Sequence, residues 1–400
     1  MKKLINDFPL LRNKICYLDN ASTSQKPREV LDAVMQFYCN QNANVGRGVY
    51  PLAEEATTLY EGARNIVAHH INAKPHEIIF TKNGTEGINL VAIAWAYELL
   101  KKGDEIVLSE LEHHSNLAPW QWVAKKTGAV IKYIPIDQQG RLMMDRLDAL
   151  ITSRTKLVAI TQSSNAIGTL VDIELIIKKA HAVGACVLVD ACQTVPHQKI
   201  DVKKMGADFL VFTGHKMLAP TGIGVLYINE KLHEAVHPFM RGGGTVYEAE
   251  WEETSYLKSP HKFEGGTPPI AQAIGLGAAI NYLNKTISFD ELRAHEAKLC
   301  AQLIDGLAKH KRINILGPIE QLKKEGHLVS FTIDGIHAHD VSALLGARGI
   351  CVRSGHFCAQ PLLAKLGVQS AVRASFYLYN TSDDVEQLLE GVARLLQEFK

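Results

Sequence analysis

From about residue 78 the chain alternates short β-branched apolar runs with amphipathic stretches. The runs are IIFT, EIVLS, AVIKYI, KLVAIT, CVLVD, FLVFT and IGVLYI; between them lie segments such as GTEGINLVAIAWAYELLKKG and DIELIIKKAHAVGA. Period-two or fully apolar runs of this length form strands, and the intervening segments are long enough for crossover helices that end at glycine. Strand and helix in strict alternation imply a mostly parallel sheet covered on both faces, so the fold class is α/β. After the glycine-rich RGGG at 241–244 and EGGTPP at 264–269 the pattern changes to long helices with fewer strands, of which LVSFTI, ICV and VRASF are the clearest. A boundary is expected near residue 285, with 16–285 as a large α/β unit and 1–15 plus 286–400 as a smaller α+β unit.

With 43 Lys+Arg against 42 Asp+Glu the formal net charge is +1, which gives no electrostatic footprint for nucleic acid or an anionic membrane. Any charged ligand has to be handled by a local site. Seven cysteines, scattered and without a C-x-x-C pair, fit reduced thiols in the cytoplasm better than a disulfide framework or a zinc site. The opening MKKLINDFPL has no apolar segment after its lysines, and INLVAIAWAYELL is too short and too polar to span a bilayer, so neither targeting nor anchoring is expected.

In an open parallel sheet ligands bind beyond the carboxyl ends of the strands. Five runs end in residues that can do chemistry: Gly84-Thr85-Glu86, Glu112-His113-His114, Ser163-Ser164-Asn165, Asp190, and Gly214-His215-Lys216. Singly, each has a plain structural reading. Thr85 and Asp190 can cap helices, and either histidine can be an ordinary surface residue. Together they match the needs of pyridoxal 5′-phosphate: a lysine (Lys216) to form a Schiff base, a carboxylate (Asp190) to keep the pyridine nitrogen protonated, and donors for the phosphate. The helix opened by Gly84-Thr85 offers free N–H groups to an anion. His113 is suited to lie against the ring, and Asn165 and Gln193 to reach the ring oxygen.

TGHKMLAPTGIGVLY at 213–227 resembles the lysine signature of the class V aminotransferase fold, and in particular of the group II cysteine desulfurases of the SufS/CsdA type. The resemblance extends over nearly the whole chain: YLDNASTSQKP (17–27), NGTEGINLVA (83–92), LEHHSNLAPWQ (111–121), SNAIGT (164–169), VDACQTV (189–195), FEGGTP (263–268), RSGHFCAQPLLAKLGV (353–368) and VRASFYLYNT (372–381). It implies the aspartate aminotransferase-like fold type I, with the smaller unit carrying a cysteine loop and a carboxylate-binding arginine. It implies Lys216 as the Schiff-base lysine, Asp190 at the pyridine nitrogen, His113 on the ring, and Thr85, Thr213 and His215 at the phosphate. Thr267 would reach that phosphate from the second subunit of a homodimer. Arg373 would clamp the substrate carboxylate, a task suited to a bidentate guanidinium, with Arg353 and Arg47 also at the substrate.

On the same resemblance Cys358 takes the sulfur of L-cysteine as a persulfide and alanine leaves. Lys216 moves the α-proton, and His113 is a proton donor. The sulfur then passes to a small acceptor protein of the SufE or SufU kind, for iron–sulfur cluster assembly or another thiolation. His356 and Arg353 are near enough in sequence to favour the thiolate. Cys351, inside ICV, reads as core. Gly46 and Tyr50 stand where histidines are usual in the resembling stretch NVGRGVY, and Cys192 stands where alanine is typical. Three further readings remain open at this level: a selenocysteine lyase or cysteine sulfinate desulfinase on the same fold, a class V transaminase or kynureninase-like hydrolase, and a scaffold that has lost its chemistry. A zinc or redox centre using His356 and Cys358 lacks further ligands at useful spacing.

Overall fold

The computed structural model describes residues 4–13 and 15–399. All seven apolar runs enter one sheet: β1 (Ile78–Thr81), β2 (Glu105–Ser109), β3 (Val130–Ile134), β4 (Thr155–Thr161), β5 (Cys186–Asp190), β6 (Phe209–Thr213) and β7 (Gly224–Ile228). Their spatial order is β1-β7-β6-β5-β4-β2-β3. β7 is antiparallel to both neighbours, and the remaining pairs are parallel. The exception has a simple cause. Only the short segment 214–223 joins β6 to β7, too little chain for a helical crossover, so the strand must turn back. Strands β5, β6 and β7 are buried almost throughout, as expected of strands covered on both faces.

Helices Pro51–His70 and Ile270–Thr286 pack together on the large hydrophobic cluster, which also takes in Val187, Val189, Phe212 and Ile280. The segment Gly84–Leu99 departs from a regular crossover helix, because a π-helical turn at Ala92–Ala96 interrupts it. A second sheet is wholly antiparallel: β8 (Ile313–Leu316), β9 (Leu328–Ile333), β10 (Arg353–Gly355) and β11 (Ala371–Ser375), ordered β8-β9-β11-β10. It packs with Phe289–Leu307 and Ser382–Glu398 around Leu303, Phe331, Val372 and Leu388. Strands β8 and β10, and a hairpin at Val246–Ala249 and Thr254–Tyr256, were not foreseen from the sequence.

The expected place of the N-terminal residues is corrected. Phe8 and Leu11 pack into the large cluster, whereas Cys16 and Leu18 join the smaller one, because Cys16–Tyr17 pairs in parallel with Ile350–Cys351. The chain thus crosses from one core to the other at its start. Cys351 lies on that short pair and is half-buried rather than core. Among the described residues no helix is long and apolar enough to cross a membrane.

Candidate functional site

A cleft of about 640 Å³, a size typical of small-molecule sites, opens between the carboxyl ends of the first sheet and the edge of the second. It gathers Gly84, Thr85, His113, Asn165, Asp190, Gln193, Thr213, His215, Lys216, Arg353, Cys358 and Arg373. Of the residues expected at the cofactor or the substrate, Thr267 and Arg47 lie elsewhere. Thr267 borders a separate groove with Phe80 and Met240, and exposed Arg47 reaches the carbonyl of Val246 at 3.4 Å.

Lys216 closes a single 3₁₀ turn that begins where β6 ends. The carbonyl of His215, one residue before it, accepts from Ser24 N at 3.0 Å, Thr23 Oγ1 at 3.1 Å and Lys26 Nζ at 3.0 Å. Ser24 Oγ also accepts from Leu218 N at 2.8 Å, so the strap at 23–26 holds the backbone on both sides of the lysine. Burial pushes the Lys26 amine down to about 8 and the His215 imidazole down to about 4. Asp190 ends β5 and accepts from Cys192 N at 3.0 Å through Oδ1. Gln193 donates through Nε2 to the carbonyl of Ala21 at 2.9 Å, and its Oε1 faces His327 Nε2 at 3.3 Å. Behind it, His327 stacks on His197, which meets Glu296 at 2.8 Å.

Helix Gly84–Val91 is capped by Asn83, whose side chain accepts from Glu86 N. Two glycines allow its first turn to sit this low. A Cβ on Gly224 would stand 2.6 Å from the Asn83 backbone, and one on Gly84 would stand 2.8 Å from Cys192 Sγ. The turn after β2 is tied down by Glu112, fully buried, which accepts from Asn116 Nδ2 at 2.7 Å and from Thr161 N at 3.0 Å and is bonded to Ser109 Oγ. Burial raises its carboxyl to about 8. His113 accepts through Nδ1 from Ser115 N at 3.0 Å, which leaves the proton of the neutral ring on Nε2. Burial, and then the charge of Lys216, lower this imidazole to about 4, so it is neutral at ordinary pH.

The second sheet supplies the other wall. Phe357 and Cys358 adopt consecutive left-handed conformations, φ 52° and 55°, unusual for residues that are not glycine. The surroundings fix this turn: Asn165 Nδ2 donates to the Phe357 carbonyl at 2.5 Å, His114 N to the Cys358 carbonyl at 2.7 Å, and Gln360 N to His114 Nε2 at 3.1 Å. Phe357 itself is buried beneath the Arg373 guanidinium, 4.9 Å from the ring centre. Cys358 is exposed, as is Cys39, but only Cys358 lines the cleft apart from Cys192. Burial raises the Cys192 thiol well above its ordinary range, so it stays protonated.

Among the described residues three buried side-chain polar atoms have no hydrogen-bond partner: Ser163 Oγ, Thr213 Oγ1 and the Nε of Arg373. All three belong to residues that line this cleft. Buried polar atoms are paired as a rule, so their concentration here marks the place of a polar ligand. The donor set fits pyridoxal phosphate: a lysine in the cleft, a strand-end carboxylate, a neutral imidazole, and hydroxyls beside a helix N-terminus. Sequence reasoning missed Asp19, Ser22, Phe357 and Lys26, and it noted Ser163 and His114 at strand ends without giving either a role. Asp19 was discoverable by the strand-end rule, since it follows the apolar ICYL, but a two-residue strand gives little periodic signal.

The Aminotransferase class-V family profile matches residues 16–388. A probable cysteine desulfurase of Streptomyces coelicolor is 46% identical over 404 residues, covering 98% of this chain and 96% of that protein. The apo structure of a cysteine desulfurase from Thermococcus onnurineus superposes with a TM-score of 0.95 at 41% identity, covering 99% of this chain and 98% of the other. The cysteine desulfurase CsdA of Escherichia coli, in an S-sulfonic acid form, gives 0.93 at 38% identity, covering 100% and 98%.

Proposed function

The chain belongs to the class V aminotransferase family, and we infer that it acts as a pyridoxal 5′-phosphate-dependent cysteine desulfurase in which Cys358 receives the sulfur. The observation that carries this reading is the convergence, in one cleft, of three unpartnered buried polar atoms with an exposed thiol on a rigid turn. Bound there, the cofactor supplies an electron sink that acidifies the substrate α-carbon and loosens its Cβ–S bond. The chain's own groups do the rest. Lys216 Nζ anchors the cofactor and carries the α-proton, and Asp190 holds the proton of the ring nitrogen. Thr85, Thr213 and His215 would hold the cofactor's phosphate. Neutral His113 presents an Nε2–H as a proton donor toward the same space. Arg373 orients the substrate carboxylate, its Nε being free for that purpose.

Cys358 Sγ attacks the substrate sulfur as a thiolate. An S–S bond forms, the Cβ–S bond breaks with its electron pair left on carbon, carbon gains a proton, and L-alanine leaves a Cys358 persulfide. The exposed turn then presents the terminal sulfur to a thiol reductant or to a small SufE/SufU-like acceptor, for iron–sulfur cluster assembly or another thiolation. In this reading the protein works in the cytoplasm as a homodimer, and Thr267 and Arg47, remote from the cleft of their own chain, serve the cleft of the neighbouring subunit. On the same reading the chain divides near residue 285 into the cofactor-holding unit and the unit bearing Cys358 and Arg373.

The test is alanine release from L-cysteine and from L-selenocysteine, with reductant, by the unaltered protein and by Cys358→Ala. Both proteins should be yellow with bound cofactor. Only the unaltered one should desulfurate cysteine, while both should act on selenocysteine, whose C–Se bond breaks without a protein thiol. A full cysteine rate in Cys358→Ala removes Cys358 from the role of sulfur carrier and moves the selenocysteine lyase reading ahead.

A further inference from the structure

Behind Gln193 the wall of the cleft is backed by buried polar side chains that the chemistry above does not use: His197, Glu296, His327 and Tyr377. His197 follows Gln193 past the end of β5, whereas His327 stands just before β9, Tyr377 just after β11, and Glu296 on helix Phe289–Leu307. Groups from the sides of both sheets therefore meet here. His197 Nδ1 is 2.8 Å from Glu296 Oε1, and the ring of His327 lies on that of His197 with centroids 4.1 Å apart. Tyr377 meets His197 edge-on, and its hydroxyl donates to the Pro196 carbonyl at 3.0 Å. Burial raises the Glu296 carboxyl well above its ordinary range and lowers both imidazoles; at His327 the nearby His197, Arg373 and Lys216 act in the same direction. The cluster is uncharged at neutral pH, so it conveys the direction of hydrogen bonds and not charge.

The Ala21 carbonyl can only accept, so the end of the Gln193 amide that meets it at 2.9 Å is the NH2 group. The oxygen end then faces His327 Nε2 at 3.3 Å, and a neutral imidazole can meet it only with its proton on Nε2. Among the described residues the second N–H of this amide has no partner, and Gln193 lines the cleft. Without His327 the buried Oε1 would be an orphan acceptor, relieved by rotation of the amide. We propose that His327 is a positioning residue, stacked on His197 and through it held by Glu296, that fixes the Gln193 amide so that its second N–H is presented to the ring oxygen of the bound cofactor. The proposal rests on the cofactor reading above and adds to it a residue behind the wall of the cleft.

In the resting holoprotein the ring oxygen and the nitrogen joined to Lys216 share one proton. A hydrogen bond donated to the oxygen favours its anionic form, so losing that bond raises the pH at which the proton leaves and the colour changes. The test is an absorbance titration, without substrate, of the unaltered holoprotein and of Gln193→Leu, His327→Leu and His327→Gln. The midpoint should rise by about one pH unit in Gln193→Leu, as expected when a charged oxygen loses one hydrogen bond. It should rise comparably in His327→Leu and return close to its original value in His327→Gln, whose amide N–H can still meet Gln193 Oε1. A merely structural His327 would lower the melting temperature when replaced and leave the midpoint in place. An unchanged midpoint in His327→Leu overturns the proposal, whether or not Gln193→Leu shifts it. Should His327→Leu fail to fold, His327→Asn, whose shorter amide does not reach Gln193 Oε1, decides the matter in the same way. If the unaltered protein takes up no cofactor and stays colourless, it is the cofactor reading that fails.

Discussion

On the side of the seven-stranded sheet, Asp190, Thr213 and Lys216 stand at or just past the ends of buried strands, and the N–H groups of Ala191, Gly214 and Met217 beside them are bonded to backbone carbonyls. On the side of the four-stranded sheet, Cys358 stands on an exposed turn in a left-handed conformation, and Arg353 is half out in solvent. The first wall is made rigid by burial. The second is made rigid by a few bonds that cross the cleft, from Asn165 to Phe357 and from His114 to Cys358. On the proposed function, the difference follows from two tasks. A cofactor must be held in one orientation with its charges matched, which favours strand ends inside a core, whereas a sulfur carrier must be fixed for attack and still open to a second partner.

The largest effect should come from the buried wall. Lys216→Ala removes both the anchor and the proton carrier, and should lower alanine release by 10⁴-fold or thereabouts, to about the limit expected for losing a general base, while abolishing the internal cofactor absorbance. Cofactor absorbance with residual turnover near the original level would erase the contrast between the walls. A smaller effect should come from the link between them. Asn165→Ala frees the Phe357 carbonyl and should slow desulfuration by about tenfold, consistent with the loss of one buried hydrogen bond, while speeding alkylation of Cys358. Slower turnover with unchanged alkylation would place the role of Asn165 at the cofactor alone, where the sequence pattern first set it.

The smallest effect lies outside the cleft and concerns stability. His70 is buried against Phe289, and burial lowers its imidazole to about 4. The unfolded chain protonates this residue near 6.5 and the folded chain does not, so stability is unaffected above that pH and falls as the pH drops from 6.5 toward 4. At pH 5 the cost is about 2 kcal/mol. His70→Leu should take up about one proton fewer on unfolding in that window, measured by calorimetry in buffers of different ionisation enthalpy, without altering the ratio of cysteine to selenocysteine turnover. Unchanged proton uptake would show that acid sensitivity resides in the cleft histidines instead.

The two walls also differ in how far the sequence discloses them. Apolar runs followed at once by Asp190 or by Gly214-His215-Lys216 are local patterns, and strand-end geometry turns them into a site. β10 has three residues and the strand before Asp19 has two, so neither shows a period. The pairing that brings Asp19 to Arg353 and Arg373 spans most of the chain and is written in no single segment. The left-handed turn at Phe357 and Cys358 is hidden for another reason: no glycine or asparagine announces it, and long-range bonds impose it against local preference. Residues whose role depends on one partner, such as Lys216, were legible. Ser22, shared among Asp19, Arg353 and Arg373, was not legible, and Asn165 was only partly so, since it spends its amide N–H on the cysteine turn as well as lining the cleft.

His113 and His114 are consecutive on one turn and both line the cleft, but only the second ties down the cysteine turn, donating its N–H to the Cys358 carbonyl and accepting from Gln360 N. The cysteine segment is consequently not a portable module. A chimaera that moved residues 353–361 onto a related scaffold without 112–116 and Asn165 would strand the carbonyls of Phe357 and Cys358 and release both residues from their left-handed state. The thiol would be present in the transplant, but its direction of attack would not.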